Sequence, residues 1–308
     1  MRETIFQTDW WLNHAAKDRW QEIVCERGGR LAGVLRYAVY RKGMFNICRN
    51  PPMTRLMAPV IFADAKKAES RQRAQLGIIG DLLKQMPACD HIRFTLDPDS
   101  PDALAFQLHG YRASVQHTFR LDCRKDPKEL WGGMRDKTRN IIRRAQERLR
   151  VIEIDDPEVF SAFYQRNLLG RPSYFDLSVI AQLAQACRLR DSGRLVGAVD
   201  EAGELQAAVF LVWDTACYYL LSTRRPEIVD NGAVSLLVWH GLQLAQERNL
   251  IFDFDGVTGD SQLQFIIAFG GEVASRLVVE KGRPFYDAQR FLREYPRRLF
   301  GQAPSTFY

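Results

Sequence analysis

The sequence predicts an α/β protein whose two halves are diverged copies of one strand-helix-strand unit, and three observations carry that expectation. Cys25-Glu-Arg-Gly-Gly-Arg-Leu-Ala-Gly-Val-Leu-Arg-Tyr-Ala-Val39 lies without gaps over Val199-Asp-Glu-Ala-Gly-Glu-Leu-Gln-Ala-Ala-Val-Phe-Leu-Val-Trp213, an offset of 174 residues. At an offset of 160, Leu76, Ile78, Ile79 and Leu82 match Leu236, Val238, Trp239 and Leu242, and Phe94 and Gly110 match Phe254 and Gly270. Finally, Val234, Leu237, Val238, Gly241, Leu242 and Ala245 follow the apolar stripe of a helix.

Each copy then reads as hairpin, helix, strand, turn and strand, with Gly29 and Gly203 in the hairpin turns. The two offsets differ by 14 residues, which places a longer connection in copy one, in the Pro-rich segment Asn50-Pro-Pro-Met-Thr-Arg-Leu-Met-Ala-Pro59 and the charged stretch after it. Asp230 and Asn231 are suited to capping the stripe helix of copy two. Between the copies, Asp126-Pro127-Lys128-Glu129 opens a further helix with an acceptor at N-cap and proline at N1. Its apolar stripe is Leu130, Met134, Ile141, Ile142 and Ala145. The expected domains are 1–125, a linking basic helix 126–150, a second domain 151–282 and a tail 283–308.

Apolar residues at 46% and charged residues at 26% describe a chain that folds. The most apolar run, Ala207 to Trp213, stops at Asp214, far short of the roughly 20 residues that span a bilayer. The first ten residues lack the apolar core of a signal peptide, so the expected compartment is the cytoplasm. Six scattered cysteines without a C-x-x-C pair, and five histidines without H-E-x-x-H, argue for reduced thiols and against a bound catalytic metal. Charge is uneven: Arg135 to Arg150 holds seven basic and two acidic residues, a net +5.

Four segments can carry chemistry. In Ile251-Phe-Asp-Phe-Asp-Gly256 the alternation puts Asp253 and Asp255 on one strand face, where paired carboxylates can hold a base of raised pKa or serve as a polar strand exit. The loop Arg224 to Val234 leads to a helix N-terminus, which attracts an anion such as a phosphate or is a plain cap. Arg139 and Arg143 lie opposite the apolar stripe of the linking helix, a face for a polyanion or for solvent. Gly170-Arg-Pro-Ser-Tyr-Phe175 is a loop whose Tyr174 and Phe175 serve as packing or line a pocket, while Trp10, Trp11 and Trp20 read as packing. G-x-S-x-G, the P-loop and G-x-G-x-x-G are all absent.

Taken in order, Phe6-Gln-Thr-Asp-Trp10, Leu130-Trp-Gly-Gly-Met-Arg-Asp-Lys-Thr-Arg-Asn-Ile-Ile-Arg-Arg-Ala145, Tyr218-Tyr-Leu-Leu-Ser222, Asn231-Gly-Ala-Val-Ser-Leu-Leu-Val-Trp239, Phe252-Asp-Phe-Asp-Gly256 and Phe269-Gly-Gly271 resemble the FemAB-like branch of the GNAT acyltransferase superfamily. The resemblance implies tandem GNAT folds, each a mixed sheet flanked by helices, and transfer of an acyl group from acyl-CoA to an amine of a small molecule or cell-envelope precursor. Aminoacyl-tRNA is the alternative donor, and a non-catalytic binding protein on the same scaffold the alternative role. It implies Asp253 or Asp255 as base, a strand amide near Leu220 to Thr223 on the acyl oxygen, a donor site at Ser222, Arg224, Asn231, Gly232 and Ala233, and substrate contacts at Tyr174, Arg139 and Phe269.

Two departures stand out. The family's Arg/Gln-x-x-Gly-x-Gly/Ala loop is here Val229-Asp-Asn-Gly-Ala-Val234, and its Phe-Lys-x-x-Phe-Gly is Phe265-Ile-Ile-Ala-Phe-Gly270, with Ile266 in place of the lysine. Copy one lacks both the Asn-Gly helix entry and the paired carboxylates, which casts it as a structural or acceptor-binding partner.

Overall fold

The computed structural model describes residues 3–62, 67–98, 103–173, 175–228, 231–256 and 259–299, the last seven by their backbone. The chain forms two compact units, one of residues 1–116 with 276–308 and one of residues 117–275.

The first unit begins with helix α1 (Asp9–Ala15), strands β1 (Trp20–Arg27), β2 (Arg30–Lys42), β3 (Phe45–Arg49) and β4 (Val60–Ile61), helix α2 (Ala68–Lys84), strand β5 (His91–Thr95), helix α3 (Ala103–Leu108) and strand β6 (Arg112–Asp122). The chain passes into the second unit within β6. There follow α4 (Pro127–Gly132), α5 (Asp136–Gln146), β7 (Arg150–Glu153), α6 (Pro157–Asn167), α7 (Ser178–Leu189), β8 (Gly193–Val199), β9 (Leu205–Trp213), β10 (Ala216–Arg224), α8 (Ala233–Glu247), β11 (Ile251–Gly256), α9 (Asp260–Ile267) and β12 (Glu272–Gly282). The chain returns to the first unit within β12 and ends its described part in α10 (Pro284–Leu299).

The repeat is present in three dimensions. In the first unit β1, β2, β3, β5 and the end of β12 lie side by side; in the second, β7, β8, β9, β10, β11 and the end of β6 do. Both sheets are mixed, because β3 runs parallel to β5 and β10 parallel to β11 while the other pairs are antiparallel. β5 and β11 begin at His91 and Ile251, and β6 and β12 span Arg112–Asp122 and Glu272–Gly282, so the 160-residue offset read from the sequence holds in these strands. The matched glycines adopt matched backbone: Gly29 and Gly203 have φ +73° and +81°, Gly110 and Gly270 +80° and +86°. These left-handed values favour glycine, so the sequence match at these positions has a steric origin.

Three expectations are corrected. The "turn" before the last strand of each copy contains a helix, α3 or α9. The basic segment expected as one linking helix is two, broken at Gly133 to Arg135, where the Arg135 amide donates to the Ala268 carbonyl (2.9 Å) instead of continuing the helix. Both lie inside the second unit, so the boundaries at 125, 150 and 282 give way to 116 and 275, and the tail contains a helix. Leu130, Met134, Ile142 and Ala145 of the expected stripe are buried in the core of that unit, with Ile141 half-buried.

The core of the second unit gathers the aromatic and aliphatic face of α8 against β9, β10 and β11. Gly241 permits this approach: a Cβ there would stand 2.8 Å from Phe252 and 3.4 Å from Leu211. In the first unit a Cβ on Gly33 of β2 would meet Ile78 of α2 at 2.5 Å.

The 14 extra residues of copy one have a definite place. β3 and β5 pair over only three residues, ending at Arg49 and Arg93, and then diverge. The segment 50–59 takes up the gap: the Met57 amide donates to the Thr95 carbonyl (2.8 Å), and Asn50 Nδ2 donates to the carbonyls of Thr54 and Arg55 (3.2 Å each). Met53, Leu56, Met57 and Ala58 are buried. The N-terminal segment 6–11 holds it down, since Gln7 Nε2 donates to the Ala58 carbonyl and Trp11 Nε1 to Thr54 Oγ1 (3.0 Å).

One acid in the first unit is strongly perturbed. The Glu280 carboxyl, beside His91 (3.6 Å) and then Arg290 (3.3 Å), is held down to about 2 against an ordinary 4.5. A depressed folded-state pKa means the unfolded chain binds the extra proton, so this contribution is complete above pH 4.5 and is lost as pH falls toward 2. Glu280→Gln is therefore expected to flatten the acid limb of a Tm-against-pH curve in that window while lowering Tm at pH 7.

Candidate functional site

The second unit keeps the gap that the first fills. β10 and β11 are parallel neighbours over Ala216↔Ile251, Cys217↔Phe252 and Tyr218↔Asp253 only, although β10 continues to Arg224 and β11 to Gly256. Both strands are irregular where they part. On β10, Tyr219 faces Leu211 and Leu221 faces Phe210, so Leu220 is an inserted residue. On β11, Asp253 faces Arg120 but Gly256 faces Thr118, so three steps on β11 match two on β6.

Each bulge redirects side chains, because one inserted residue exchanges the two faces of a strand. Past Leu220, Ser222 and Arg224 fall opposite Val209 and Ala207, which share a strand face with Leu211, the residue that reaches Gly241 of α8. Ser222 and Arg224 are thus on the α8 face and exposed, while Thr223 is on the other, where Asn167 Nδ2 of α6 donates to its Oγ1 (3.0 Å). Without the bulge these faces would be reversed. Tyr219 shares the α8 face, its ring 6.3 Å from Phe252, and burial pushes its hydroxyl up to about 12.

The N-terminus of α8 completes this side. Gly232, at φ +80°, is the N-cap; Asn231 Oδ1 accepts from the Ala233 amide (3.1 Å), and Asn231 Nδ2 donates to Gln206 Oε1 (3.2 Å). Gln206 is fixed in turn through Nε2 to Asp200 (2.7 Å). Asn231 supplies an oxygen to the first helical amide, and Asp230 lies outside the described residues. The close approach that Gly232 allows is used by α5: a Cβ would lie 3.0 Å from both Ala145 and Ile141. A ligand at this helix end therefore meets the side bearing Ser222, Arg224 and Ala233. Arg225 of the same loop is engaged by Glu227 (2.7 Å) and Glu204 (2.9 Å).

The two acids play different parts. Asp253 is fully buried; Arg120 Nε donates to its Oδ2 (2.9 Å), and the Asp255 amide to its Oδ1 (2.9 Å). Thr118 Oγ1 lies 2.6 Å from Asp253 Oδ1 and 2.9 Å from the Asp255 carbonyl, so its single proton bridges both acceptors. Asp255 is half-buried and has φ +66°, a left-handed value uncommon outside glycine and tolerated by Asp and Asn. Its amide and carbonyl are both held by the Asp253-Thr118 pair, which is what sustains the strain.

Two of the three expected substrate contacts engage other parts of the protein. Phe269 is buried among Phe254 and Phe265. Arg139 is half-buried and donates to the Gly132 carbonyl (3.0 Å) and to Asp136. Tyr174 lies outside the described residues. Ile266, at the position of the family's lysine, is buried against Gly271. The Gly-Gly pairs do meet: a Cβ on Gly270 would stand 3.3 Å from the Gly133 carbonyl. Arg120 and Thr118 were not singled out from sequence; an alternating polar pair on the strand closing copy one was their only signal. Among the described residues no three His, Cys, Asp or Glu side chains gather as a metal site would need, and no helix is long and apolar enough to cross a membrane.

Residues 133–264, within the second unit, match the model of the acetyltransferase (GNAT) domain family. The fold of the whole chain is like that of FemX, which superposes with a TM-score of 0.69 over 92% of this chain and 94% of its own, at 14% identity. The C-terminal domain (DUF2156) of a putative lysylphosphatidylglycerol synthetase from Agrobacterium fabrum gives 0.62 over 96% and 93%, at 15% identity. A tandem GNAT protein from the clavulanic acid biosynthesis pathway gives 0.51 over 85% and 82%, at 16% identity. No curated protein matches by sequence. The architecture is thus that of a tandem GNAT fold.

Proposed function

We propose that this chain is an N-acyltransferase that moves an acyl group from acyl-CoA to an amine of a small molecule or cell-envelope precursor, in the cytoplasm. The observation that carries the reading is the open wedge between β10 and β11, with bulges on both strands and the α8 N-terminus on one side of it. A thioester lying in the wedge has its carbonyl beside the amides of β10 past Leu220, which would polarise it and stabilise the developing oxyanion. Ser222, Arg224 and the first amides of α8 would bind the donor's phosphates. Asp255 would take the proton as the neutral amine attacks, with Asp253 as the residue that positions it. When bound, CoA supplies the activated thioester; the remaining steps fall to these residues.

A second reading has its own support. Arg135, Lys137, Arg143 and Arg144 of the α5 segment are exposed, and α5 packs on Gly232, so a polyanionic donor such as aminoacyl-tRNA would find cations beside the same helix end. The buried Ile266 in place of lysine weighs the other way.

Calorimetric titration with acetyl-CoA, longer acyl-CoAs and charged tRNA decides between them. Saturable heat with an acyl-CoA, weakened at least tenfold by Arg224→Ala, is the expected outcome (about 1.4 kcal/mol). Binding of charged tRNA alone would install the second reading, and silence toward every donor would leave a binding protein on a GNAT scaffold.

A further inference from the structure

Helix α10 is docked the wrong way round for a soluble helix. An amphipathic helix ordinarily buries its apolar stripe and leaves charge outside. Here the side facing the first unit is polar: Tyr286 stacks near Phe45 (5.1 Å) and His91 (5.2 Å), Asp287 meets Arg112 (3.6 Å), and Arg290 reaches Glu280 (3.3 Å). Phe285 and Leu292 point away, 67% and 70% exposed. Phe285 and Leu292, seven apart, share one helix face. The patch extends onto another element, because Phe285 lies 6.1 Å from Phe45, and the next residue along, Met44 in the β2-β3 turn, is 75% exposed.

Exposed cations flank this apolar surface: Arg41 and Lys42 precede Met44, and Lys281 and Arg283 precede Phe285. We propose that this face is a docking surface for an anionic lipid bilayer, with α10 lying in the interface plane, Phe285, Leu292 and Met44 dipping below the headgroups, and the arginines and lysines among the phosphates. Charge selects this occupant. A second copy would bring the same net positive strip against itself, whereas anionic headgroups neutralise it as the apolar face inserts. The helix lies on the surface rather than across it, since no helix here is long and apolar enough to span.

Co-sedimentation of the full chain with vesicles tests the proposal. The chain is expected to sediment with vesicles of equal parts phosphatidylglycerol and phosphatidylcholine, less at raised salt, and at least about tenfold less with pure phosphatidylcholine. Phe285→Ser with Leu292→Ser is expected to weaken partition at least about tenfold with Tm unchanged, because both side chains are exposed; Arg283→Glu is expected to weaken it several-fold. Indifference to these substitutions, equal binding to both vesicle types, or no sedimentation at low salt overturns the assignment. So does a concentration-dependent dimer that the double substitution dissociates, which would give the face to a second copy.

Discussion

Asp255→Asn is expected to cut the rate of acyl transfer about 100-fold to 10,000-fold and leave Tm within about a degree of the parent, whereas Asp253→Ala is expected to unfold the second unit readily. The contrast follows from the surroundings of the two acids. Asp255 sits at φ +66° and half-buried, and asparagine accepts that conformation about as well as aspartate, so the substitution removes charge and little else. Asp253 is fully buried with Arg120, Thr118 and the Asp255 amide on its oxygens. Removing it strands the Arg120 guanidinium, itself 14% exposed, at a cost of about 3–5 kcal/mol, or a Tm lower by roughly 10 °C. Asp255→Gly separates strain from chemistry: glycine relieves the left-handed backbone, so Tm holds or rises while the rate falls as for asparagine. Thermal melts and single-turnover assays with the donor identified by titration check all three. Full activity in Asp255→Asn would remove Asp255 as the base.

The sequence singled out the strand of Asp253 and Asp255 but could not tell the surroundings of the two acids apart. Strand alternation put Asp253 and Asp255 on one face, and that reasoning breaks down at a bulge, where an inserted residue changes direction and partners alike. The same limit affected β10, where only the pairing with β9 reveals that Ser222 and Arg224 turn to the α8 side. Gly232 illustrates a different gap. Its freedom was legible, but whether a ligand or the α5 helix exploits it depends on a contact between segments about ninety residues apart, which no local pattern encodes. The repeat, by contrast, was legible to the residue, because buried strand partners and left-handed glycines constrain side-chain choice directly. Phe269 was misplaced for the converse reason. Its motif marks where the Gly-Gly segments touch, and that close approach buries the aromatic residue beside them.

Calorimetry with an acyl-CoA is expected to find one site per chain, although the fold supplies two parallel strand pairs that diverge. In the second unit no strand ladder intervenes beyond Tyr218 and Asp253 among the described residues. In the first, the wedge beyond Arg49 and Arg93 is filled by residues 50–59, whose Met57 amide bonds the Thr95 carbonyl where a donor would otherwise lie. The filling is held by a fully buried side chain: Trp11 is 0% exposed, packs edge-on to Phe6 at 5.1 Å and donates to Thr54. Trp11→Ala is accordingly expected to destabilise the first unit by about 3–5 kcal/mol, an effect visible in thermal melts, while donor affinity in the second unit stays within about twofold. Two equivalent sites in the parent chain would show that the segment yields to ligand, and loss of donor binding in Trp11→Ala at a temperature where the protein remains folded would show that the two units do not work independently. The 14 residues by which the copies differ thus set the two strand pairs apart: segment 50–59 is a hydrophobic anchor beside one, and the other carries the donor site proposed above.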